Sequence, residues 1–504
     1  MQKIFELKSQ DWMKGIAISS QYPSTGIFAE ASGINPFLLP FTSSNEFGLL
    51  QTSAAATNRT GGVVTGAILG GTLLGSAYTA YLIDDDGHIY SVDTTSGTPT
   101  NLRSGNAIAT PGEGMTIYQV PGGTKYMYYA REAFIGRWDL TGVFGVPNVN
   151  SDGWEDTFAG SAGSGFAIVL QSTTIRNFHH FVGNVYFTDK SYIGGIIDDD
   201  GGAGVEPSIQ SQLLDLPETM TAVDIDDDGF YLVIAATENQ ITGNRQINTL
   251  NKIYFWDTAS NSWAREWTIN TPFISSIHKM GGIMYALCAD GLYAFSFNTP
   301  PTLLIPLANA DGPARTGGVN PTSHLATVKD GVLYWLSAGV PGNADVCAYG
   351  SPLPGMQPRF FKPFKAMNGG ASSTPTFIMS VGKFITYVAD GDKFGELSNI
   401  SGGQTGLTAE TIYIPLERKY NILKIEVTLG EPLASGDSLN IDLQSDEDTS
   451  ASDFGTMAYS ALGAKRTMVM TNRYTAENLK MIFNFNGGNV KIKKISVYGE
   501  PVTI

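Results

Sequence analysis

The segment Gly281-Gly282-Ile283-Met284-Tyr285 places a glycine pair directly before an apolar strand that carries a tyrosine. The same order of Gly, an aliphatic residue and Tyr returns in Gly87-His88-Ile89-Tyr90, Gly183-Asn184-Val185-Tyr186 and Gly331-Val332-Leu333-Tyr334. Glycine supplies the positive φ that tight hairpin turns require. The repeated pattern therefore predicts a chain of antiparallel hairpins and an all-β fold.

The spacing of these turns predicts how the hairpins assemble. Counting the variants, turn glycines fall at positions 87, 123, 183, 229, 282, 331 and 382. Most steps between them are close to the ~40–50 residues of one four-stranded propeller blade. Seven such units predict a β-propeller of about seven blades, and six or eight blades stay open because the first two units are irregular.

One strand resembles a named propeller repeat. Ile253-Tyr254-Phe255-Trp256-Asp257, followed by Trp263, is similar to the strand of a kelch blade, in which Trp follows an aromatic-Asp turn. The Gly281-Gly282 pair is similar to the kelch double glycine. Other units lack one or both elements, so we expect kelch/WD-like strands without membership of the kelch family.

Composition agrees with blades that are buried on both faces. Of 504 residues only 15% are charged, 58 are Gly, and 42% are hydrophobic. This apolar content excludes a wholly disordered chain. The net charge of −16 argues against nucleic acid as a partner, because nucleic-acid affinity comes mainly from basic surface. Two cysteines, Cys288 and Cys347, exclude a disulfide framework but leave a single bridge open, and their apolar neighbours favour buried thiols.

The segments that flank the propeller have a different character. Residues 405–504 contain six strand candidates with period-2 alternation, for example Lys491, Lys493 and Lys494 between apolar residues, which predicts a jelly-roll-like β-sandwich. Residues 1–60 form neither unit and are predicted to be an extended N-terminal arm. The predicted domains are therefore 1–60, 61–404 and 405–504.

No membrane span is expected. The stretch 60–83 is uncharged and contains Gly66-x-x-x-Gly70, but its six glycines favour strands joined by turns over a helix. The first 15 residues alternate charged and apolar side chains, which is unlike a secretory signal.

The strongest metal motif is Asp224-x-Asp226-x-Asp228-Gly229, whose alternating carboxylates suit Ca²⁺. The motif is incomplete. An EF-hand loop requires Glu where this chain has Ala235, and a propeller Ca²⁺ loop requires Asp where it has Leu232. A solvated Asp-Gly hairpin turn remains the competing interpretation. The acid runs 84–86 and 198–200 lack the full spacing. Ca²⁺ is the one candidate cofactor.

Catalytic motifs are weak. His179 and His180 are adjacent and point to opposite faces of a strand, so they cannot share one metal. Zinc-enzyme and P-loop motifs are missing from the sequence. Glu155, Asp156 and Asp257 are carboxylates that a propeller glycosidase would use, but the sialidase Asp turn is missing too. The expectation is a protein that is not an enzyme.

The segment near the N-terminus contains Gly26-Ile27-Phe28, Gly33-Ile34-Asn35-Pro36-Phe37 and Gly48-Leu49-Leu50. It resembles the start of structural proteins of tailed-bacteriophage virions, in which an extended arm leads into Gly-Tyr-rich hairpins. The closing strand 490–499 is similar to the last strand of sandwich domains that end phage tail proteins. The resemblance implies a tail or head-peripheral virion component, and it transfers no catalytic residues.

The leading hypothesis is a non-enzymatic virion structural protein, most simply tail-associated. Its implied partners are other virion proteins and further copies of this chain. A receptor- or glycan-binding adhesin that recognises the host surface is the alternative, and a glycoside hydrolase or lyase is the third hypothesis.

Overall fold

The fold is that of a computed structural model, which describes most of the chain. The described residues are 1–8, 11, 27–31, 50–51, 57–58, 68–74, 79–93, 99–103, 107–120, 123–131, 133–140, 153–160, 166–171, 176–197, 207–242, 245–307, 312–313, 325–337, 345–351, 357–365, 375–381, 384–389, 393–397, 407–459, 466–486 and 490–502.

Strands dominate the described residues, and most belong to a series of small antiparallel sheets. The first sheet has strands β5 Ile68–Leu74, β6 Thr79–Asp84, β7 Ile89–Asp93 and β8 Pro99–Asn101. The second has strands β9 Pro111–Gln119, β10 Lys125–Arg131, β11 Phe134–Trp138, β12 Trp154–Gly160 and β13 Phe166–Ala167. The third has strands β14 Phe178–Phe181, β15 Asn184–Asp189, β16 Tyr192–Ile197 and β17 Ser208–Asp215, and the fourth has strands β18 Met220–Asp227, β19 Leu232–Thr242, β20 Arg245–Trp256 and β21 Arg265–Ile269. They are followed by β22 Ile274–Met280, β23 Ile283–Cys288, β24 Gly291–Phe295 and β25 Thr302–Pro306; β26 Ala326–Lys329, β27 Val332–Leu336, β28 Asp345–Gly350 and β29 Arg359–Lys365; and β30 Pro375–Val381, β31 Phe384–Ala389 and β32 Lys393–Leu397, which are joined by β4 Thr57–Asn58.

The first strands of these sheets form a closed ring. Going round it, β5, β9, β14, β18, β22, β26 and β30 each contact the next, and β30 contacts β5. This arrangement is a β-propeller, so the predicted all-β propeller is confirmed. Six of these sheets are regular four-stranded blades, so the prediction of about seven blades is corrected to six. The sheet β9–β13, around Gly123, instead has five strands and ends in a parallel pairing of β12 with β13.

Strand β19 shows why the blades are rich in apolar residues. Leu232, Val233, Ile234, Ala235 and Ala236 are all fully buried. Alternate members pack into different clusters: Leu232, Ile234 and Ala236 join residues of the β14–β17 sheet, whereas Val233 and Ala235 join residues of the β22–β25 sheet. Each blade thus has no solvated face, which explains the low charge of the chain.

The predicted glycine turns mostly join the first and second strands of a blade. Val182-Gly183 and Gly281-Gly282 form two-residue loops with positive φ at both positions, and the turn 228–231 joins β18 to β19. Gly87 differs, because it lies in the turn between the second and third strands, β6 and β7. This displacement by one strand is one reason why the first two intervals between turn glycines, from 87 to 123 and from 123 to 183, are irregular. Gly382 lies outside the described residues.

The remaining strands form one sheet of nine strands. These are β1 Gln2–Lys8, β2 Phe28–Ala31, β3 Leu50–Gln51, β33 Leu407–Thr411, β34 Ile414–Leu429, β35 Ser438–Ser445, β36 Ser452–Ala458, β37 Thr467–Asn486 and β38 Lys491–Pro501. Hydrogen bonds connect all nine, with β1 and β3 on β38 and β2 on β33. The pairing describes a single sheet that includes strands of the predicted arm.

The chain divides into two compact units. One comprises Met1–Ala56, Asp345–Ala366 and Leu397–Ile504, and the other comprises Thr57–Ala344 and Met367–Glu396. These limits differ from the predicted 1–60, 61–404 and 405–504, chiefly because early strands join the C-terminal sheet and β4 joins the propeller. Within the described part of the chain, no helix has the length and apolar character needed to cross a membrane.

Candidate functional site at the propeller channel

A polar cavity of about 300 Å³ lies where the inner strands of five sheets meet. Its wall combines charged, amide, imidazole and apolar groups. The lining residues are Gly71 of β5, Gly114 and Met115 of β9, Asn177, Phe178 and His179 at β14, Asp224, Ile225 and Asp226 of β18, and Ile277 and His278 of β22. Cavities that combine apolar walls with a few convergent polar groups are the usual form of a ligand site.

Two lining carboxylates satisfy the backbone of the neighbouring blade. Asp224 Oδ2 accepts a hydrogen bond from the Ile277 amide at 2.8 Å, and Asp226 Oδ2 accepts one from the Lys279 amide at 2.7 Å. An innermost strand has an edge with backbone groups that its own sheet does not pair, and burial without a partner would be costly. The alternating acids of β18 therefore fasten β22 to the ring.

A similar fastening occurs elsewhere in the propeller. The Thr327 hydroxyl accepts a hydrogen bond from the Ser380 amide, which links β26 to β30, and Asn177 Nδ2 donates to the Val223 carbonyl. Short polar side chains on inner strands thus have a structural role at several inner edges. This role provides one physical reason for the Asp-x-Asp pattern at 224–226 that does not involve a metal.

Asp227 connects three sheets beside the cavity. Its Oδ1 accepts from Lys279 Nζ of β22 at 2.8 Å, and its Oδ2 lies 3.0 Å from His179 Nε2 of β14. The same nitrogen lies 3.7 Å from Asp226 Oδ1. All four side chains are partly buried, so the Lys279–Asp227 ion pair is less screened than a surface pair.

Burial shifts the protonation of this region. It raises the pKa of Asp224 to about 8 and lowers the pKa of His278 to about 4. It also raises the pKa of Asp226 despite the nearby His179. For Asp227, burial acts in the raising direction, but hydrogen bonds from Lys279 and His179 outweigh it and the pKa is lowered. Burial therefore favours the protonated form of Asp224 and Asp226, whereas the hydrogen bonds to Asp227, beside the cavity, favour its ionised form.

Asn177 brings an unused acceptor to the wall. The residue is only 6% exposed, and its Nδ2 donates to the Val223 carbonyl at 2.6 Å. Among the described residues, none donates to its buried Oδ1. Buried polar groups are usually paired, and an unpaired one costs roughly 1–3 kcal/mol. Asn177 therefore adds a buried amide oxygen, without a donor among the described residues, to the side chains around the cavity.

The structure does not bring Asp224, Asp226 and Asp228 together as one metal site. In the described part of the chain, two clusters of His, Cys, Asp or Glu have ligand atoms within 4.8 Å of one another. Neither cluster contains these three residues together. Asp228 instead forms the β18–β19 turn, where its Oδ1 accepts from the Phe230 and Tyr231 amides at 2.8 and 2.7 Å. The Ca²⁺ assignment of the motif stays a prediction without geometric support from these contacts.

Two other groups do converge. His179 joins Asp226 and Asp227, and Asp84 joins Asp86 and His88. In the second group Asp84 is fully buried, and it accepts from the His88 amide at 2.6 Å and from the Tyr90 hydroxyl at 2.8 Å. The acid run 84–86 is thus a braced hairpin turn. The run 198–200 lies outside the described residues.

The carboxylates considered for glycosidase chemistry do not line the cavity. Asp156 forms a buried ion pair with Arg103, with contacts of 2.6 and 2.9 Å. Glu155 accepts from Arg137 Nε at 2.6 Å. Asp257 lies in an exposed turn and caps backbone amides there. These contacts give each of the three carboxylates a structural function.

The sequence interpretation of several other residues is confirmed. His179 and His180 have different partners, since His180 Nε2 lies 2.9 Å from the Thr116 hydroxyl. Cys288 and Cys347 are buried free thiols.

Sequence reasoning missed the cluster around Asp227. Its members come from β14, β18 and β22, and His179 is 48 residues from Asp227. The available signal was the recurrence of polar residues at the inner-strand positions of successive units, such as 179, 227 and 279. That signal becomes visible only after the units are placed in a ring.

Comparisons with known proteins support no assignment beyond the fold. No family model matches the chain, and no curated protein matches it. Among solved structures, the chain is similar to the computationally designed Ika8 protein, with 11% identity over 68% of this chain and 99% of that one and a TM-score of 0.39. It is also similar to the Cps50 (Swd1) β-propeller domain of Myceliophteria thermophila, with 8% identity over 69% of this chain and 100% of that one and a TM-score of 0.42.

A third similar structure is Raptor of Chaetomium thermophilum, with 10% identity, a TM-score of 0.44, and coverage of 69% of this chain and 30% of that one. Similarity at these identities concerns architecture only. The strand pairing and the ring of inner strands define the chain as a protein with a β-propeller.

Proposed function

We propose that the chain is a non-enzymatic structural protein that binds neighbouring proteins in a tailed-phage virion, most simply in the tail. The single observation that carries the binding role is a row of exposed apolar side chains on consecutive blades. Val182 is 74% exposed, Phe230 is 84% exposed and Ile283 is 46% exposed. The virion setting rests on the sequence resemblance alone.

These three residues lie in or beside turns 182–183, 228–231 and 281–282, which we call the hairpin rim. A blade with four antiparallel strands returns the chain to the face from which it started, so the inner strands of successive blades run in the same direction. Their first turns consequently lie on one face of the ring. Large exposed apolar side chains on one face are typical of protein contact sites.

The hairpin rim is also well braced for binding. Asp227 and Lys279 link the strands that lead into two of its turns, and His179 links the third. A contact surface that is already ordered loses less conformational entropy on association. The rim therefore has both the apolar groups and the preorganisation that a protein partner requires.

The predicted jelly-roll-like sandwich belongs to the same proposal. Strand β37 pairs with β34 along its first part and with β35 and β33 along its second part. Alternate residues Leu479, Met481, Phe483 and Phe485 are buried. This alternation supports a long sheet that folds over a shared apolar core and leaves its polar face for assembly contacts.

The binding role is tested with the double variant Val182→Asp/Phe230→Asp. We expect normal folding by circular dichroism and loss of incorporation into particles, because charges at the rim oppose an apolar contact. Leu303→Asp is the matched control, since Leu303 is exposed on β25, the last strand of its sheet, and not on the rim. Wild-type incorporation of the double variant would contradict the rim assignment. Immunogold microscopy of virions tests the setting, and unlabelled particles would reject it.

The proposed arm contacts need a smaller change than deletion of residues 1–60. Strand β4, at 57–58, belongs to a propeller sheet, so deletion through residue 60 would also damage the ring. Replacement of residues 32–49 by a Gly-Ser linker of equal length removes the central arm motifs and retains β1, β2, β3 and β4. We expect it to reduce assembly while the propeller stays folded. Normal assembly of this variant would reject a role for the arm.

A glycan-binding adhesin is the second candidate, and the channel cavity favours it. The cavity offers carboxyl, amide and imidazole groups beside Phe178 and Met115, a combination that suits hydroxyl-rich ligands. A glycan array tests this function directly. Binding that is lost in Asn177→Leu would support it, whereas no binding at micromolar protein would reject it.

A further inference from the structure

We propose that His179, Asp226 and Asp227 bind a divalent first-row transition-metal ion, such as Zn²⁺, at the wall of the channel cavity. The ligand atoms are Nε2 of His179, Oδ1 of Asp226 and Oδ2 of Asp227. They come from two different blades and lie within 4.8 Å of one another. This site shares only Asp226 with the Asp224/Asp226/Asp228 motif and takes a different class of metal.

The spacing of the three atoms fits a metal. Nε2 lies 3.0 Å from the Asp227 oxygen and 3.7 Å from the Asp226 oxygen. Ligands that each lie about 2.0–2.2 Å from a zinc ion are about 3.0–3.6 Å apart in octahedral or tetrahedral geometry. Small adjustments of the side chains would therefore place all three in coordination.

The surroundings provide room for further ligands. His179 and Asp226 both line the cavity, which is large enough to hold water or a small molecule beside the ion. Asn177, a residue more than nine-tenths buried, lines the same cavity, and no described residue donates to its Oδ1. A metal-bound water or hydroxyl group is a donor of the kind that this acceptor lacks. This observation is independent of the His-Asp-Asp cluster.

The ligand types select the class of metal. One imidazole nitrogen with two carboxylates suits Zn²⁺ or Mn²⁺, whereas Ca²⁺ prefers six to eight oxygen ligands. Lys279 opposes binding of a metal ion, because its ammonium group lies 2.8 Å from Oδ1 of Asp227, the carboxylate oxygen that is not a proposed ligand. It orients Asp227 but also weakens cation binding through its charge.

The other converging group provides a control. Asp84, Asp86 and His88 also lie within 4.8 Å of one another, but they form a single hairpin turn in which both Asp84 oxygens already accept hydrogen bonds. They do not line the channel cavity. We therefore assign the metal to the channel group and not to this turn.

The test is equilibrium dialysis of the full chain against Zn²⁺, with metal content measured by mass spectrometry. We expect one zinc ion that is lost, or bound at least tenfold more weakly, in His179→Gln and in Asp227→Asn. The matched variants Asp228→Asn and His88→Gln should bind like the wild type, and Ca²⁺ should not compete. The proposal would be overturned if the wild type binds no zinc or if His179→Gln and Asp227→Asn bind it as the wild type does. It would also be overturned if zinc is lost in Asp228→Asn or His88→Gln.

Two measurements add independent evidence. Lys279→Gln should tighten zinc binding severalfold, and a Kd that does not fall would overturn the assigned ligand atoms. The wild-type chain can also be labelled with diethyl pyrocarbonate, which needs no variant that might misfold. His179 and His88 have similar exposure, 23% and 21%. Zinc should protect His179 alone, and equal labelling of both with and without zinc would reject the site.

Discussion

The hairpin turns and the channel wall are built by different kinds of contact. The turn at 84–88 is braced within one hairpin, since Asp84 bonds residues four and six positions away. The channel group instead joins His179, Asp227 and Lys279 across about 50 residues at each step. Turns therefore tolerate change one hairpin at a time, whereas a change in the wall affects several blades. Four predictions test this difference, from the largest effect to the smallest.

Glu113 of β9 should make stability depend on pH. Burial raises its pKa from about 4.5 to about 8. The native state then holds a proton that the unfolded state releases between these values. Stability should therefore be full at low pH and fall as pH rises toward 8, by up to about 1.4 kcal/mol per pH unit. Urea unfolding at pH 5 and pH 8 measures the change.

Glu113→Gln provides the control for that pH series. The amide is uncharged at every pH and has nearly the same shape. Its stability should change less between pH 5 and pH 8 than that of the wild type, and the change that remains is expected from Asp224, whose pKa burial also raises to about 8. Equal pH dependence in the two proteins would show that another group is responsible.

Gly114→Ala should damage the channel wall. Gly114 has a φ of 118°, and an added Cβ would lie 1.8 Å from the Arg176 carbonyl oxygen. Because that neighbour is backbone of the next blade, both strands must move. We expect a loss of about 3 kcal/mol or more. A denaturation midpoint within error of the wild type would contradict the close packing described here.

Asp84→Ala should weaken a hairpin turn. It removes an acceptor from the His88 amide and from the Tyr90 hydroxyl in a fully buried position. Loss of two hydrogen bonds to a carboxylate predicts a destabilisation of about 2–3 kcal/mol. Asp86→Ala is the matched control, because Asp86 is exposed in the same turn. Equal effects of the two substitutions would reject the bracing role of Asp84.

Gly183→Ala should have the smallest effect. Gly183 has a φ of 78°, but nothing lies within 4 Å of an added Cβ. Only backbone strain opposes the substitution, so the expected cost is about 1 kcal/mol. A loss as large as that of Gly114→Ala would erase the distinction between turn and wall.

The same distinction explains what the sequence predicts well. Turn chemistry is local, so Gly183, Gly229 and Gly282 mark real hairpin turns. Gly87 misleads because a Gly-aliphatic-Tyr pattern fits the turn after the first strand and the turn after the second strand equally well. Local pattern therefore predicts the class of fold, but it does not fix the number of regular blades.

The candidate site required information that spacing does not contain. The pairing of His179 with Asp227 depends on which blades are neighbours and on how far each inner strand extends. Asp224 and Asp226 resemble a metal loop in sequence, yet their contacts with Ile277 and Lys279 exist only between blades. Strand β4 has two residues, which is too short for periodicity to reveal.

That short strand affects the order in which the protein is made. Residues 57 and 58 pair with residues 396 and 395. During synthesis the early strand leaves the ribosome long before its partner exists, and domains usually fold as the chain emerges. A contact across so many residues closes slowly because of its entropy cost. Ring closure by this pairing therefore waits until residue 396 has been made, and until then β4 lacks the strand that it pairs with.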